Sequence, residues 1–255
     1  MRTQEKRATR FRSIQTSLIF VIVPVVIISM AVLSLMGYLS SKAIIQTSAG
    51  NEMSQCLSVA MGSIEMSLSN NRMVAETMAR GVEAVQRQAV KGEQTASDWD
   101  AAAYQEILTS FVGSNPETFG GGIWFEPYQY RPEQRYFSPY CMRQNGAVTY
   151  VDNYSLVEGV YYTDQDWYTN AANTTQKSVW SAPYYDEFAQ ISMVTSSAPI
   201  YDETGRLLGV ATADIDLTQM QQMVLSLDVV ANGRAFLIDD TGVYIADEDS
   251  EKLLS

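Results

Sequence analysis

The sequence has no histidine. That excludes Ser-His-Asp and Cys-His catalytic arrangements, histidine-ligated metals and a phospho-accepting histidine within these residues. Cysteine is almost as rare. Cys56 and Cys141 are the only two, too few for a disulfide scaffold or a thiolate zinc cluster. A bond between them is not expected, because Cys56 falls early on a long helical pattern and Cys141 in a distant strand. Gly-rich phosphate loops and GxSxG elbows are missing, and Gly120-Gly121-Gly122 is a lone run that reads as a turn before a strand. Positive charge is scarce, with 17 Lys and Arg against 29 Asp and Glu and a net charge of −12. Such a chain is a poor partner for nucleic acid. No cofactor is called for, and an extracytoplasmic enzyme is disfavoured, so the chain does not read as an enzyme.

Long apolar runs are missing everywhere except near the N-terminus. There Leu18 to Leu39 carry no charge over 22 residues. At 1.5 Å per residue they span about 33 Å as a helix, enough for a hydrocarbon core of about 30 Å. Pro24 lies within the run, which a membrane helix tolerates. A secretory signal would have a shorter apolar region ending in a small-residue cleavage site, and neither feature fits. Before the run stand Arg2, Lys6, Arg7, Arg10 and Arg12 against Glu5. This basic flank predicts a cytoplasmic tail at 1–17, a transmembrane helix at 18–39, and an acidic exterior portion.

The pattern after the span predicts an α+β fold. From 41 to 90 it reads as one long helix. Met53, Leu57, Ala60, Met61, Ile64, Leu68, Val74, Met78, Val82 and Val85 recur mostly three or four apart. This stripe is expected to pack against its own domain and against a parallel dimer mate. After a loop at Lys91 to Thr95, Ser97-Asp98 open a helix ending near Ser114, ahead of Asn115-Pro116. Strands are expected from Gly122 to Phe125, Arg135 to Met142, Ala147 to Val151, Ile191 to Tyr201 and Leu207 to Asp214, with a hairpin turn at Gln144-Asn145-Gly146. A short helix is expected at Asp164 to Ala172, and another from Asp216 to Val224 capped by Asp216 and Gln219. The result is an antiparallel sheet of about five strands with helices on one side. Arg234 to Asp239, Asp240-Thr241-Gly242 and Val243 to Ala246 read as the start of a second, truncated sheet module. The expected layout is therefore a sensor module over 91–224 and the opening of another over 225–255.

Several segments resemble a known family. Asp166-Trp167-Tyr168, Val179-Trp180-Ser181-Ala182-Pro183-Tyr184, Ser197-Ala198-Pro199-Ile200-Tyr201-Asp202 and Gly209 through Ile215 are similar, in order and spacing, to the double Cache extracytoplasmic sensors of bacterial transmembrane receptors. They are most like those of methyl-accepting chemotaxis proteins. Gly233 through Asp239 with Gly242 resembles the first strands of that family's membrane-proximal module. The resemblance implies two stacked PAS-like modules after a long helix, with a small-molecule ligand in the membrane-distal one. It also implies signalling across the membrane to a cytoplasmic domain of a chemotaxis receptor or, alternatively, of a histidine kinase or diguanylate cyclase. The amino-acid-binding subgroup carries an Arg two residues before the Trp to hold the ligand carboxylate. That position is Gln165 here, and the subgroup's upstream Tyr falls near Val160, with Tyr161 and Tyr162 beside it.

The expected ligand residues are Asp214, Trp167, Tyr184, Tyr168, Gln165 and Asp166. Leu208, Val210, Thr212 and Asp214 share one strand face by period two, which projects the Asp214 carboxylate among apolar neighbours. Trp167 and Tyr168 suit either ligand stacking or core anchoring. Aromatic faces and a carboxylate without a nearby arginine suit an amine or amino-acid-like ligand.

Overall fold

A computed structural model describes residues 14–88, 100–151, 154, 161–227, 233–239, 241–249 and 252–253. The basic tail before Ile14, the loop at 91–95, Ser97-Asp98, Val160 and Asp240 lie outside them. Two units are separable, Met1–Gln55 and Cys56–Ser255.

The first unit contributes the beginning of α1, a helix of Ile14–Gln88. Its apolar run is long and hydrophobic enough to cross a membrane, and none of the most hydropathic window is buried by protein. Leu18, Phe20, Ile28 and Leu33 are all exposed. The hydroxyl of Ser29 is satisfied within the helix by donating to the Val25 carbonyl.

The second unit is built on one antiparallel sheet. Its strands are β1 (Gly120–Phe125), β2 (Tyr140–Gln144), β3 (Ala147–Val151), β4 (Val179–Trp180), β5 (Tyr184–Asp186), β6 (Ile191–Tyr201) and β7 (Leu207–Asp216). The order is β3-β2-β1-β7-β6-β4, with β5 also paired to β6. Local chemistry sets the turns. Asn145 and Gly146 have φ of 51° and 81°, giving the two-residue turn that joins β2 to β3. Between β6 and β7, the Asp202 carboxylate accepts from the Thr204 and Arg206 amides, and Gly205 takes φ 83°.

Alternation along the strands divides two cores. On one face, Ile123, Phe125, Ala198, Ile200, Ala211 and Ala213 meet α1 and α2 (Ala101–Ser114). Val74, Met78 and Val82 from α1 and Tyr104, Leu108 and Val112 from α2 fill that core. On the other face, Trp124, Tyr140 and Val210 pack under a 3₁₀ turn (Tyr162–Asp164) and α3 (Asp166–Ala172). A third cluster joins Val194, Ile215, Leu217 and Met220 with α4 (Leu217–Leu225). The Asp216 side chain caps α4 by accepting from the Thr218 amide. Next to it lies a short hairpin of β8 (Leu237–Ile238) and β9 (Tyr244–Ala246).

Several expectations are corrected. Among the described residues the sheet has seven strands, two more than expected, because β4 and β5 are too short to show periodicity. Helices cover both faces, not one. The strand read over Arg135 to Met142 forms only at Tyr140–Gln144. Asp100 caps α2, accepting from the Ala103 amide, so the described part of that helix begins at Ala101. Leu208 leaves the face it was assigned. The pairing Ile200↔Gly209 is followed by Tyr201↔Leu207, so Leu208 is the extra residue of a β-bulge and turns into the helix-side core. Cys56 and Cys141 are free.

Candidate ligand cleft

Asp214 lies on β7 with Val210 and Thr212, facing away from α1. Opposite it on one side is Gly120, and on the other Thr195. Gly120 has no side chain there, and a Cβ would run into the Tyr140 phenol. The space lets Tyr140 reach across and donate to Asp214 Oδ2 at 2.8 Å. Thr195 donates to Oδ1 at 2.8 Å. Tyr184 Oη is 2.8 Å from Thr195 Oγ1. Since the one hydroxyl proton of Thr195 is committed to Asp214, Tyr184 is the donor of that pair. Beside this chain, Trp124 Nε1 donates to Thr212 Oγ1 at 2.8 Å.

The carboxyl group of Asp214 is 4% exposed. Burial pushes its pKa up to about 7, the Thr195 and Tyr140 hydrogen bonds pull it down, and the charge of Asp186 raises it. Burial, with the charge of Asp214, also raises the phenols of Tyr140 and Tyr184 well above their usual value. Both stay neutral donors at physiological pH. Asp186 is held by the Tyr154 phenol at 2.9 and 3.0 Å and by the Ala189 amide at 2.6 Å.

These groups floor and wall two adjoining spaces. A small recess of about 10 Å³ is bounded by Asp214, Thr195, Tyr140 and Trp124. An outer chamber of about 300 Å³ is bounded by Tyr162, Gln165, Tyr185, Glu187 and Phe188. Tyr154, Trp167, Tyr184 and Asp186 line both. Among the described residues, no Lys or Arg lines either space.

Of the residues singled out in the sequence, Asp214, Trp167, Tyr184 and Gln165 are brought together here. Tyr168 is buried but aims its hydroxyl at Glu126 Oε1, 2.8 Å away. Asp166 is exposed in the first turn of α3. Neither lines the cleft. Tyr140, Thr195, Asp186, Tyr154 and Trp124 do, and went unrecognised. Thr195 came nearest to being legible, since counting across the hairpin from its turn points one residue away, at Val194.

Among the described residues the arrangement offers a buried carboxylate, neutral hydroxyl donors and ring faces. It is suited to holding a molecule. Comparisons with known proteins agree with the fold. Residues 104–222 match the family model described as methyl-accepting chemotaxis protein-like, first PDC sensor domain. Methyl-accepting chemotaxis protein McpA of Pseudomonas putida is 25% identical over 208 residues, covering 79% of this chain and 31% of that protein. The extracellular domain mmHK1S-Z2, described as part of a histidine kinase, superposes with a TM-score of 0.59 at 21% identity, covering 76% of this chain and 70% of that one. The ligand-binding domain of Campylobacter jejuni chemoreceptor Tlp3 gives a TM-score of 0.53 at 17% identity, covering 81% and 71%. The chain spans between 13% and 31% of the length of the curated relatives it matches. With PAS-like architecture, cleft and family match in agreement, residues 104–222 are a PDC (Cache-type) sensor domain of the methyl-accepting-chemotaxis-protein-like family.

Proposed function

We propose that the chain is the extracytoplasmic sensing part of a chemotaxis receptor, and that its cleft binds a small molecule through an ammonium group. In this reading residues 1–17 are cytoplasmic, 18–39 span the plasma membrane, 91–224 form the membrane-distal sensor, and 225–255 open a membrane-proximal module. Signal passes through a parallel dimer to a cytoplasmic domain. The observation that carries the ligand reading is the recess at Asp214. A buried carboxylate with two hydroxyl donors and no cation is costly when charged. A bound ammonium relieves that cost, and Trp167 and Tyr184 present rings beside it, each adding about 0.5–2 kcal/mol when desolvated. The ligand named for the Tlp3 structure, 4-methylisoleucine, also bears an amine.

The test is calorimetric titration of the whole chain in detergent micelles with primary amines, α-amino acids, organic acids and purines. Amines are expected to bind, and Gln165→Arg is expected to shift preference toward ligands that also carry a carboxylate. Binding of carboxylic acids lacking an amine, and of nothing else, would overturn the reading. A second reading, the sensor of a histidine kinase, is favoured by the fold match to mmHK1S-Z2. The coding sequence beyond residue 255 distinguishes the two.

A further inference from the structure

The cleft carries more negative charge than one ammonium would balance. Asp214 and Asp186 border the recess, and Asp186 and Glu187 border the outer chamber. Neither Asp186 nor Glu187 forms an ion pair among the described residues. The stretch from Gln144 to Gln176 contains no Lys or Arg at all, only further acids. Its undescribed part therefore supplies no compensating cation. Arg135 is engaged over the rings of Tyr136 and Tyr161.

Size narrows the choice at the inner end. A recess of about 10 Å³ holds about one water-sized group. A primary ammonium has that size and can donate to the carboxylate lone pairs left free by Tyr140 and Thr195. A trimethylammonium is too large, and a carboxylate would face Asp214 directly. The outer chamber then takes the remainder of the molecule. Trp167, Tyr184 and Phe188 offer apolar surface for a methylene chain, and the chain's far end lies by Asp186 and Glu187. An α-amino acid would bring its own carboxylate toward those acids, with only the neutral amide of Gln165 to receive it.

We infer that the natural occupant is a dication, a linear diamine or polyamine, with one ammonium in the Asp214 recess and a second balanced by Asp186 and Glu187. The inference rests on the amine reading of the recess and adds the second charge. Glu187 lies only in the outer chamber, so it reports the second charge without touching the first.

The experiment titrates the whole chain in detergent micelles with α,ω-diamines of increasing length, 1-aminoalkanes of matching length and α-amino acids. The best diamine should bind about tenfold or more tightly than its monoamine counterpart. Glu187→Gln should weaken the diamine by about two- to fivefold, as befits an exposed charge, and weaken the monoamine by a smaller factor. Glu187→Lys should weaken the diamine further and improve amino acids. An unchanged thermal unfolding midpoint serves as the control for folding in both variants. Equal affinities for diamine and monoamine would overturn the second charge while leaving the amine reading intact. A preference for amino acids over diamines in the unmodified chain would also overturn it. Failure of every amine to bind would instead overturn the reading on which it rests.

Discussion

Asp214 is buried, hydrogen-bonded and without a cation, and this sets how the domain responds to pH. In the unfolded chain the carboxyl has its ordinary pKa of 3.8, and in the folded domain burial raises it to about 7. Between those values the folded state keeps a proton that the unfolded state releases. The contribution of Asp214 to stability is therefore greatest below about pH 4, declines as pH rises, and levels off above about 7. A shift of this size corresponds to about 4 kcal/mol across the window. Asp202, Asp239 and Asp247 have lowered values and act in the opposite sense, so the comparison must be with a variant that retains them. Asp214→Asn removes the titrating proton and keeps the shape. Thermal melts at pH 5, 6, 7 and 8 should show the unmodified chain losing stability relative to the variant as pH rises. Parallel melting curves would mean that Asp214 titrates normally. The same substitution should cost about 2–5 kcal/mol of amine binding, since it leaves the ligand's buried charge without a partner.

Two neighbouring elements hold the cleft in different ways, and substitutions separate them. Arg143, at the exposed end of β2, ties down the C-terminal end of α2. It donates to the carbonyls of Val112, Asn115 and Thr118 at 2.5, 3.0 and 2.9 Å. Arg143→Met should destabilise the domain by about 2–3 kcal/mol, the range for losing hydrogen bonds from a charged donor, while amine affinity stays the same. Gly120→Ala acts on the cleft itself, because the added methyl displaces Tyr140 from Asp214. It should lower amine affinity together with stability. Chemical denaturation paired with calorimetry checks both, and equal effects of the two variants on binding would refute the distinction. The turns that frame these strands were legible, because Asn145-Gly146 and Asp202 to Gly205 state their geometry locally. The register was nearly so. Counting back from the pair 202 and 206 places Val194 opposite Asp214, and the bulge at Leu208 moves that partner to Thr195. A bulge has no local signature in this sequence, so the Thr195 hydrogen bond to Asp214 stayed hidden. Tyr140, Asp186 and Tyr154 stayed hidden for a different reason. They reach the site through tertiary packing, from strands too short or too irregular for period-two reading.

At the scale of the molecule, the apolar run Leu18 to Leu39 was legible from composition alone, because crossing a membrane demands length and lack of charge and little else. The stripe from Met53 to Val85 was legible as a helix. Its latter part, Val74, Met78 and Val82, is core beneath the sheet, whereas a different set of apolar residues on α1 faces outward. Val59, Met66 and Met73 are 66%, 64% and 59% exposed. They are seven residues apart, the spacing that keeps a seam on one side of a supercoiled helix. Apolar residues repeated in this way are more than scattered surface leucines and methionines would supply. Two such chains anchored in one membrane would meet at high effective concentration, so even a modest seam suffices to pair them. The expected contact in the proposed parallel dimer is therefore this outer seam. Single cysteines placed at 59, 66 and 73 in a Cys56→Ser background should crosslink between copies in native membranes. Cysteines at 74, 78 and 82, on the core-facing side, should not. A flat profile along the helix would mean that the seam is not an interface, and crosslinking confined to the core-facing positions would mean that the sheet does not cover them.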